Sequence, residues 1–227
     1  MVGPLVPKEG WGVLHLFCRL TREADGEAAL AALKGAQAAG VQVVSVALFG
    51  HKADLGFMLL APDLVAIRRV QAALSGAGLE LASSYLSLTE VSEYARGMPP
   101  ERLEPRLHPQ LPPEGMRAFC FYPMSKRREG EDNWYRLGYD ERLALMYGHG
   151  ATGRKFAGRV VQLVTGSTGL DDYEWGVTLF AVAHDDLKEC VHTMRFDEAS
   201  ARYAEFGPFY TGLVAPPEEV LQLCGLP

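Results

Sequence analysis

The segment Val41-Gln-Val-Val-Ser-Val-Ala-Leu-Phe49 decides the fold class, because its β-branched residues predict a strand that directly follows an Ala/Leu-rich helical segment, residues 26–39. Another strand is predicted at residues 55–60. The remaining predicted elements of this half are strands at 11–20 and 79–88, and a helix that Pro62-Asp63 opens and that ends near Ser75. The resulting order, β-α-β-β-α-β, is the ferredoxin-like unit.

The second half of the chain repeats this order of elements without repeating the residues themselves. The predicted strands are 117–123, 160–165, 174–182 and 209–214, and the predicted helices are 140–157, 185–203 and 216–223. Six prolines between residues 96 and 116 predict an extended linker there. We therefore expect an α+β protein with halves at 1–95 and 117–227, whose two ferredoxin-like sheets form one barrel.

Composition excludes several classes of function. The 227 residues carry a net charge of −6, so bulk charge does not favour nucleic acid or an anionic membrane, and no apolar run is long enough to span a bilayer. The four cysteines have no metal-type spacing and fall in apolar runs, which predicts buried free thiols: Cys18, Cys120, Cys190 and Cys224. The first residues also lack a signal-peptide pattern, so a cytoplasmic protein is expected.

The segment Tyr122-Pro-Met-Ser-Lys126 has the clearest chemical pattern in the chain. Alternate residues of a strand project from one face, so Tyr122, Met124 and Lys126 would present a phenol, a thioether and a cation together. The alternative for Tyr122 is a core tyrosine with a satisfied hydroxyl. The sequence around it does not decide between these interpretations.

Four further residues are candidates for the same pocket. His149 lies between Gly148 and Gly150, which leaves room for a large planar ligand, and neutral imidazole is a common ligand of heme iron. A surface or satisfied core histidine is the alternative. Gln162 interrupts an apolar strand, where its amide is either functional or bonded across the sheet. Arg195 and Ser200 lie on one predicted helix, about 140° apart, and could touch different parts of one large ligand.

The C-terminal half closely resembles the coproheme decarboxylase branch of the chlorite dismutase superfamily. The matching stretches are Phe121-Tyr-Pro-Met-Ser-Lys-Arg-Arg128, Asp132-Asn-Trp-Tyr135, His149-Gly150, Gly153-Arg154, Gly169-Leu-Asp-Asp-Tyr-Glu-Trp-Gly-Val177, Met194-Arg-Phe-Asp-Glu198, Ser200-Ala-Arg-Tyr203 and Glu205-Phe-Gly207. They cover most of residues 117–212, whereas the N-terminal half matches only in pattern.

The resemblance implies a dimeric α+β barrel assembled as a homopentamer, with a role for each candidate residue. His149 would be the proximal iron ligand, Tyr122 the catalytic radical tyrosine and Gln162 the distal glutamine. The other implied residues lie near or anchor the propionates of the porphyrin: Met124, Lys126, Arg195, Ser200 and, after a two-residue shift in spacing, Arg106.

The implied reaction converts iron coproporphyrin III (coproheme) to heme b. Hydrogen peroxide is the oxidant, two propionates lose CO2 to become vinyl groups, and the substrate brings its own redox metal. A ferrochelatase is the expected donor of coproheme. Two alternatives remain: a chlorite dismutase-type heme enzyme, which Gln162 disfavours because that activity uses a distal arginine, and a heme-binding carrier or sensor.

Overall fold

The first half of the chain folds in the predicted order in the computed structural model, which describes residues 3–95 and 97–226. Its elements are β1 (Gly12–Leu20), α1 (Gly26–Ala38), β2 (Gln42–Leu48), β3 (Leu55–Ala61), α2 (Leu64–Gly76) and β4 (Leu79–Thr89). Both helices begin at an aspartate N-cap: Asp25 accepts the Ala28 N–H and Asp63 the Val65 N–H, each at 2.9 Å. These caps satisfy backbone donors that the helix itself leaves unpaired.

The segment between the halves is not extended throughout, contrary to the predicted linker at 96–116. The helix α3 (Pro100–Leu107) occupies part of it, with Pro100 at the first helical position, where a missing N–H is tolerated. Further along, the Gln42 side chain donates to the Pro109 carbonyl at 2.8 Å and accepts from the Leu111 N–H at 3.0 Å. The segment is thus fastened to the first half by specific hydrogen bonds.

The second half repeats the pattern with additions. Its elements are β5 (Ala118–Lys126), β6 (Arg128–Glu129), β7 (Asp132–Asn133), α4 (Tyr139–Gly153), β8 (Val160–Gly166), β9 (Trp175–Ala181), α5 (His184–Met194), α6 (Glu198–Tyr203), β10 (Ala204–Phe206), β11 (Tyr210–Val214) and α7 (Pro217–Leu223). The prediction of a single helix at 185–203 was wrong, because α5 ends at Met194 and a separate helix, α6, begins at Glu198. Asp197 separates them, because its side chain caps α6 by accepting the Ser200 N–H at 3.2 Å.

Both halves order their strands in the same way, and together they close a barrel. The sheet order is β10-β5-β11-β2-β3-β1-β4-β8-β9, and β5 also pairs with β9. Within each half the fourth, first, third and second ferredoxin-like strands lie side by side, while the β2–β11 and β4–β8 pairings join the halves. The predicted α+β barrel of two ferredoxin-like repeats is therefore confirmed.

Apolar side chains fill the barrel interior and the spaces beneath the helices. Phe17, Phe119, Phe121 and Phe180 are buried inside, and a separate cluster lies between the N-terminal strands and helices α1, α2 and α7. A third cluster, on the outer face of β5 and β9, includes Tyr122. Among the described residues, no helix has the length and apolar content that a membrane crossing requires. The outer face of β5 and β9 forms one wall of the candidate site.

Candidate active site

A cavity of about 1460 Å³ lies outside the barrel, between the C-terminal strands on one side and α4 on the other. It exceeds the roughly 300–1,000 Å³ of ordinary small-molecule pockets. Residues from α3, α5 and the segment after β4 complete its walls. The space suits a ligand that is large and has both apolar and charged parts.

The strand register explains why the predicted residues face this cavity. Tyr122 pairs with Val177 on β9, and Val177 pairs with Val164 on β8, so these side chains form a row across three strands. Met124 and Lys126 follow Tyr122 at two-residue intervals on the same face of β5. All three predicted residues of β5 line the cavity.

The phenol of Tyr122 is held by aromatic packing. Its ring stacks on Phe209, with centroids 4.5 Å apart, and meets Phe206 edge to face at 5.6 Å. The side chain is 8% exposed, and no described residue hydrogen-bonds its hydroxyl. Burial raises the pKa of Tyr122 above its ordinary value, so the phenol remains protonated. The group can therefore give up a proton and an electron together.

The imidazole of His149 has a defined orientation. Its Nδ1 lies 3.1 Å from Oδ2 and 3.2 Å from Oδ1 of Asp197, which fixes the proton on Nδ1. Nε2, the other ring nitrogen, has no protein partner among the described residues and is available to a ligand. Burial alone would raise the pKa of Asp197, but hydrogen bonds from His149 and Ser200 hold it below its usual range, so the carboxylate stays ionised.

Asp197 contacts His149 at the candidate site and was not predicted from the sequence. Although Asp197 lies in one of the matching stretches, no role for it, and no partner for the His149 ring, is predicted from the sequence. A sequence signal does exist, because an aspartate followed by Glu198-Ala-Ser200 is typical of an N-cap. This N-cap signal is lost when residues 185–203 are predicted as one continuous helix, because an N-cap residue precedes a helix and does not occur within one.

Lys126 is a buried cation with three kinds of contact. Its Nζ donates to the Ala199 carbonyl at 3.1 Å and lies 4.3 Å from the centre of the Trp134 ring. Its own backbone N–H donates to the buried carboxylate of Glu174 at 2.8 Å. Burial lowers the pKa of Lys126 to about 8, although the negative charges of Asp197 and Glu174 oppose that shift. Its charge is thus sensitive to pH near neutrality.

The structure brings seven of the eight predicted residues to this cavity. Gln162, exposed on β8, and Arg106, exposed on α3, both line it, as does Ser200, whose Oγ lies 3.4 Å from Nδ1 of His149. Arg195 is not among the lining residues. Its guanidinium covers the ring of Phe206 at 4.2 Å, and Phe206 does line the cavity. No cross-strand hydrogen bond to the Gln162 amide exists among the described residues.

Three arginines that the sequence analysis did not assign also line the cavity: Arg102, Arg142 and Arg154. Arg142 is already occupied, because it donates to the Leu137 carbonyl at 2.8 Å and to the Tyr94 hydroxyl at 3.1 Å. Arg154 caps the C-terminus of α4, five residues after His149. Together with Arg106 and Lys126, these cations give the cavity the charge needed to hold several carboxylates.

These features define a class of site. An imidazole whose Nδ1 faces a carboxylate, a protonated phenol and several cations surround one large, mostly apolar cavity. No cluster of three or more His, Cys, Asp or Glu suited to a metal occurs in the described part of the chain. A metal ion at His149 would therefore take its other ligands from a bound molecule, as heme iron does from a porphyrin. The site fits a metalloporphyrin with carboxylate arms.

Comparison with known proteins places the chain in a family. The chlorite dismutase family profile matches residues 22–215, and the chain belongs to that family. A coproheme decarboxylase of Thermus thermophilus (strain ATCC 27634) is 45% identical over 183 residues, which is 78% of this chain and 73% of that protein. The coproheme decarboxylase of a second strain of that species, ATCC BAA-163, matches equally well.

Solved structures support the same fold. A heme-binding protein from Thermus thermophilus superposes with a TM-score of 0.86 at 41% identity, covering 99% of each chain. The chlorite dismutase of Candidatus Nitrospira defluvii, in complex with imidazole, gives a TM-score of 0.78 at 22% identity over 96% of each chain. This second likeness concerns the fold alone.

Proposed function

We propose that the protein is a coproheme decarboxylase, which converts iron coproporphyrin III to heme b with hydrogen peroxide as oxidant. One observation carries the proposal: Tyr122 on β5 and His149 on α4 line the same cavity, together with a buried cation, Lys126. The activity is that of relatives 45% identical to this chain. The chemistry would lie in the C-terminal half, residues 117–227, with Arg106 contributed from the connecting segment 96–116.

The side chains have distinct binding roles in this proposal. His149 would bind the iron through Nε2, with Asp197 holding its ring and increasing its basicity. Gln162 would lie on the opposite, distal side. Lys126, Arg106, Arg195 and Ser200 would hold propionates by charge-assisted hydrogen bonds, and Met124 would contact the porphyrin near a reacting arm. Arg195 would have to turn from the ring of Phe206 toward the cavity to do so.

Tyr122 would be the catalytic residue. Bound coproheme, together with peroxide, supplies the oxidising equivalents. Tyr122 loses a proton and an electron, and the resulting phenoxyl radical takes a hydrogen atom from the propionate arm beside it, which restores the phenol. That arm would then lose CO2 and give a second electron to the remaining oxidising equivalent of the peroxide, which would leave a vinyl group. The raised pKa of Tyr122 favours this role, because the phenol keeps its proton until the electron leaves.

The proposal extends to assembly and location. The chain would act as a cytoplasmic homopentamer and receive coproheme from a ferrochelatase. The described cysteines agree with a reducing compartment, since Cys18, Cys120, Cys190 and Cys224 are all free thiols. Sedimentation of the purified protein tests the pentamer independently of activity.

The decisive experiment loads the protein anaerobically with ferric coproheme, titrates it with peroxide and follows the porphyrin mass. The wild type should lose two CO2 in succession, and Tyr122→Phe should bind the porphyrin without losing mass. Tyr85→Phe is the matched control, because Tyr85 is a buried tyrosine inside the barrel and away from the cavity. A wild-type Soret band without mass loss would reject the decarboxylase and indicate a heme carrier.

A further inference from the structure

A buried cation covers one of the aromatic rings that line the cavity. Nζ of Lys126 lies 4.3 Å from the centre of the Trp134 ring, and the two residues are only 7% and 4% exposed. The ammonium is held over the ring because it also donates to the Ala199 carbonyl at 3.1 Å. Water is largely excluded from this contact, so the positive charge acts on the indole with little screening.

Trp134 is also the first ring of an aromatic pair that leads away from the cavity. Its ring meets that of Tyr203 edge to face, with centroids 5.3 Å apart, and Tyr203 is buried and does not line the cavity. Backbone hydrogen bonds fix the pair beside Lys126: the Trp134 N–H donates to the Arg127 carbonyl at 3.0 Å, and the Arg127 N–H donates to the Tyr203 carbonyl at 2.7 Å. An electron lost from Trp134 could therefore be replaced from Tyr203, which would carry the oxidation into the protein interior.

The other tyrosine and tryptophan rings that line the cavity lack such a cation. In the described part of the chain, no cation lies over the rings of Tyr94, Tyr122, Tyr135, Tyr147 or Trp175. Tyr122 packs on two phenylalanines, which are much harder to oxidise than tryptophan, and Trp175 has no aromatic neighbour among the described residues. The cation thus covers the lining ring that is joined to a buried tyrosine.

We propose that Lys126 protects Trp134 from oxidation and so keeps oxidising equivalents out of the pair formed by Trp134 and Tyr203. The inference rests on the proposed function, in which peroxide and the bound porphyrin supply those equivalents. Oxidation of the indole would pass one electron to such an equivalent and leave a radical cation, so a positive charge would develop 4.3 Å from the ammonium. The like charges raise the energy of that state. Tyr122 loses its proton together with its electron, so no such charge develops on the phenol.

The protection should be strongest after the reaction is complete. While a propionate is bound to Lys126, its carboxylate offsets part of the ammonium charge; once that arm has become a neutral vinyl group, the charge acts on Trp134 undiminished. Peroxide that arrives at this stage has no propionate left to oxidise. Lys126 would then block oxidation of Trp134 at the time when oxidant is most likely to damage the protein.

The test uses full-length protein loaded with heme b, which lacks the two reacting propionates, and a small excess of peroxide in air. Peptide mass spectrometry measures the oxygenated fraction of Trp134 relative to that of Trp175, which lines the same cavity and is the internal reference. We expect this ratio to rise severalfold in Lys126→Met. It should stay near the wild-type value in Lys126→Arg, which keeps a cation, and in Arg128→Met, which removes an exposed cation from the same segment.

A pH series on the wild type tests the charge without a substitution. Burial lowers the pKa of Lys126 to about 8, against the opposing charges of Asp197 and Glu174, and Arg128 pairs with Glu174 at 3.8 Å. The ammonium is therefore lost as pH rises past 8, and the ratio of Trp134 to Trp175 oxidation should rise with it. In Lys126→Met the ratio should be high on both sides of pH 8.

The outcomes separate this inference from the proposed function. Equal ratios in wild type and Lys126→Met, or the same rise in Arg128→Met, would overturn the role of Lys126 while coproheme conversion continued. A rise in Lys126→Met without any pH dependence in the wild type would also overturn it, because altered access of peroxide rather than charge would be the cause. Failure of the wild type to convert coproheme would reject the proposed function itself. Thermal unfolding and the Soret band show whether each variant is folded and loaded.

Discussion

The carboxylate of Asp197 lies 3.1 Å from Nδ1 of His149, and the same carboxylate caps α6. One side chain thus fixes both a helix start and the orientation of the imidazole. The arrangement couples the position of α6, which carries Ser200, to the ring that would bind iron. A change at Asp197 should therefore affect the iron ligand and its surroundings together.

Asp197→Asn keeps an N-cap side chain but removes the charge that Nδ1–H meets. We expect weaker binding of ferric coproheme, by on the order of 10- to 100-fold, as for other partners of metal-bound histidines. Soret titration measures the loss, and resonance Raman should show a weaker iron–histidine bond. Glu198→Gln is the control, because Glu198 is exposed and contacts Arg202 rather than His149. Equal affinities in the two variants would show that Asp197 does not tune the histidine.

Lys126 should give coproheme binding a dependence on pH. Its pKa of about 8 in the free protein must rise when a carboxylate binds beside it, so binding takes up a proton above pH 8. Affinity should therefore fall as pH rises past 8, by up to about tenfold per pH unit. Soret titrations on either side of pH 8 measure this slope. Lys126→Met should bind coproheme more weakly, and its affinity should no longer depend on pH above 8. If the variant kept the wild-type pH dependence, that dependence would have to come from another group.

His15 should make the fold sensitive to acid. It is buried inside the barrel, where its Nε2 meets Oγ1 of Thr178 at 3.0 Å and its Nδ1 has no partner among the described residues. Burial lowers the pKa of His15 from 6.5 to about 3. Between these values the unfolded chain binds a proton that the folded chain does not. The free energy of unfolding should thus fall as pH drops from 6.5 toward 3, by about 1.4 kcal/mol per unit.

Denaturant unfolding at several pH values tests this contribution. His15→Leu removes the titrating group and should show a shallower pH dependence, whatever its overall stability. His51→Gln changes an exposed histidine and should keep the wild-type slope. If His15→Leu and wild type ran parallel between pH 6.5 and 3, the acid sensitivity would have to come from other groups.

The two glycines beside His149 make a matched pair. A methyl group on Gly148 would meet nothing within 4 Å, and one on Gly150 would meet only the Arg154 guanidinium, at 3.6 Å. Alanine at either position should therefore stabilise α4 by about 0.5–1 kcal/mol. Gly150 lines the main cavity and Gly148 does not. Coproheme affinity, measured by Soret titration, should fall in Gly150→Ala and not in Gly148→Ala. An equal fall in the two variants would contradict the placement of Gly150 alone in the cavity wall.

Sequence periodicity predicted the barrel well because burial dictates it. Strands such as β2 and β3 are buried along most of their length and are therefore mostly apolar, which leaves little ambiguity about their type. The shared face of Tyr122, Met124 and Lys126 followed from the alternation of a strand. The secondary-structure predictions were wrong where a side-chain cap or a tertiary contact overrides local propensity. The break at Asp197 and the helix α3 within a proline-rich segment both depend on capping and tertiary contacts.

The sequence predicted which residues belong to the site better than it predicted their contacts. Their convergence on one cavity required the strand register and the packing of α4, which no local pattern contains. The contact of Arg195 with Phe206 and the pairing of His149 with Asp197 join residues from separate elements. Catalytic, metal-binding and anchoring roles remain predictions that the experiments above address.

The strand that carries Tyr122 and the helix that carries His149 differ sharply in how they are held. β5 is bonded to β9 along one edge and to β10 and β11 along the other, whereas α4, described along its full length, has no buried residue. Amide exchange should be slow in β5 and fast in α4. A porphyrin would then enter and leave by displacement of the helical wall. The phenol of Tyr122 would keep its position throughout, on the part of the molecule that opens last.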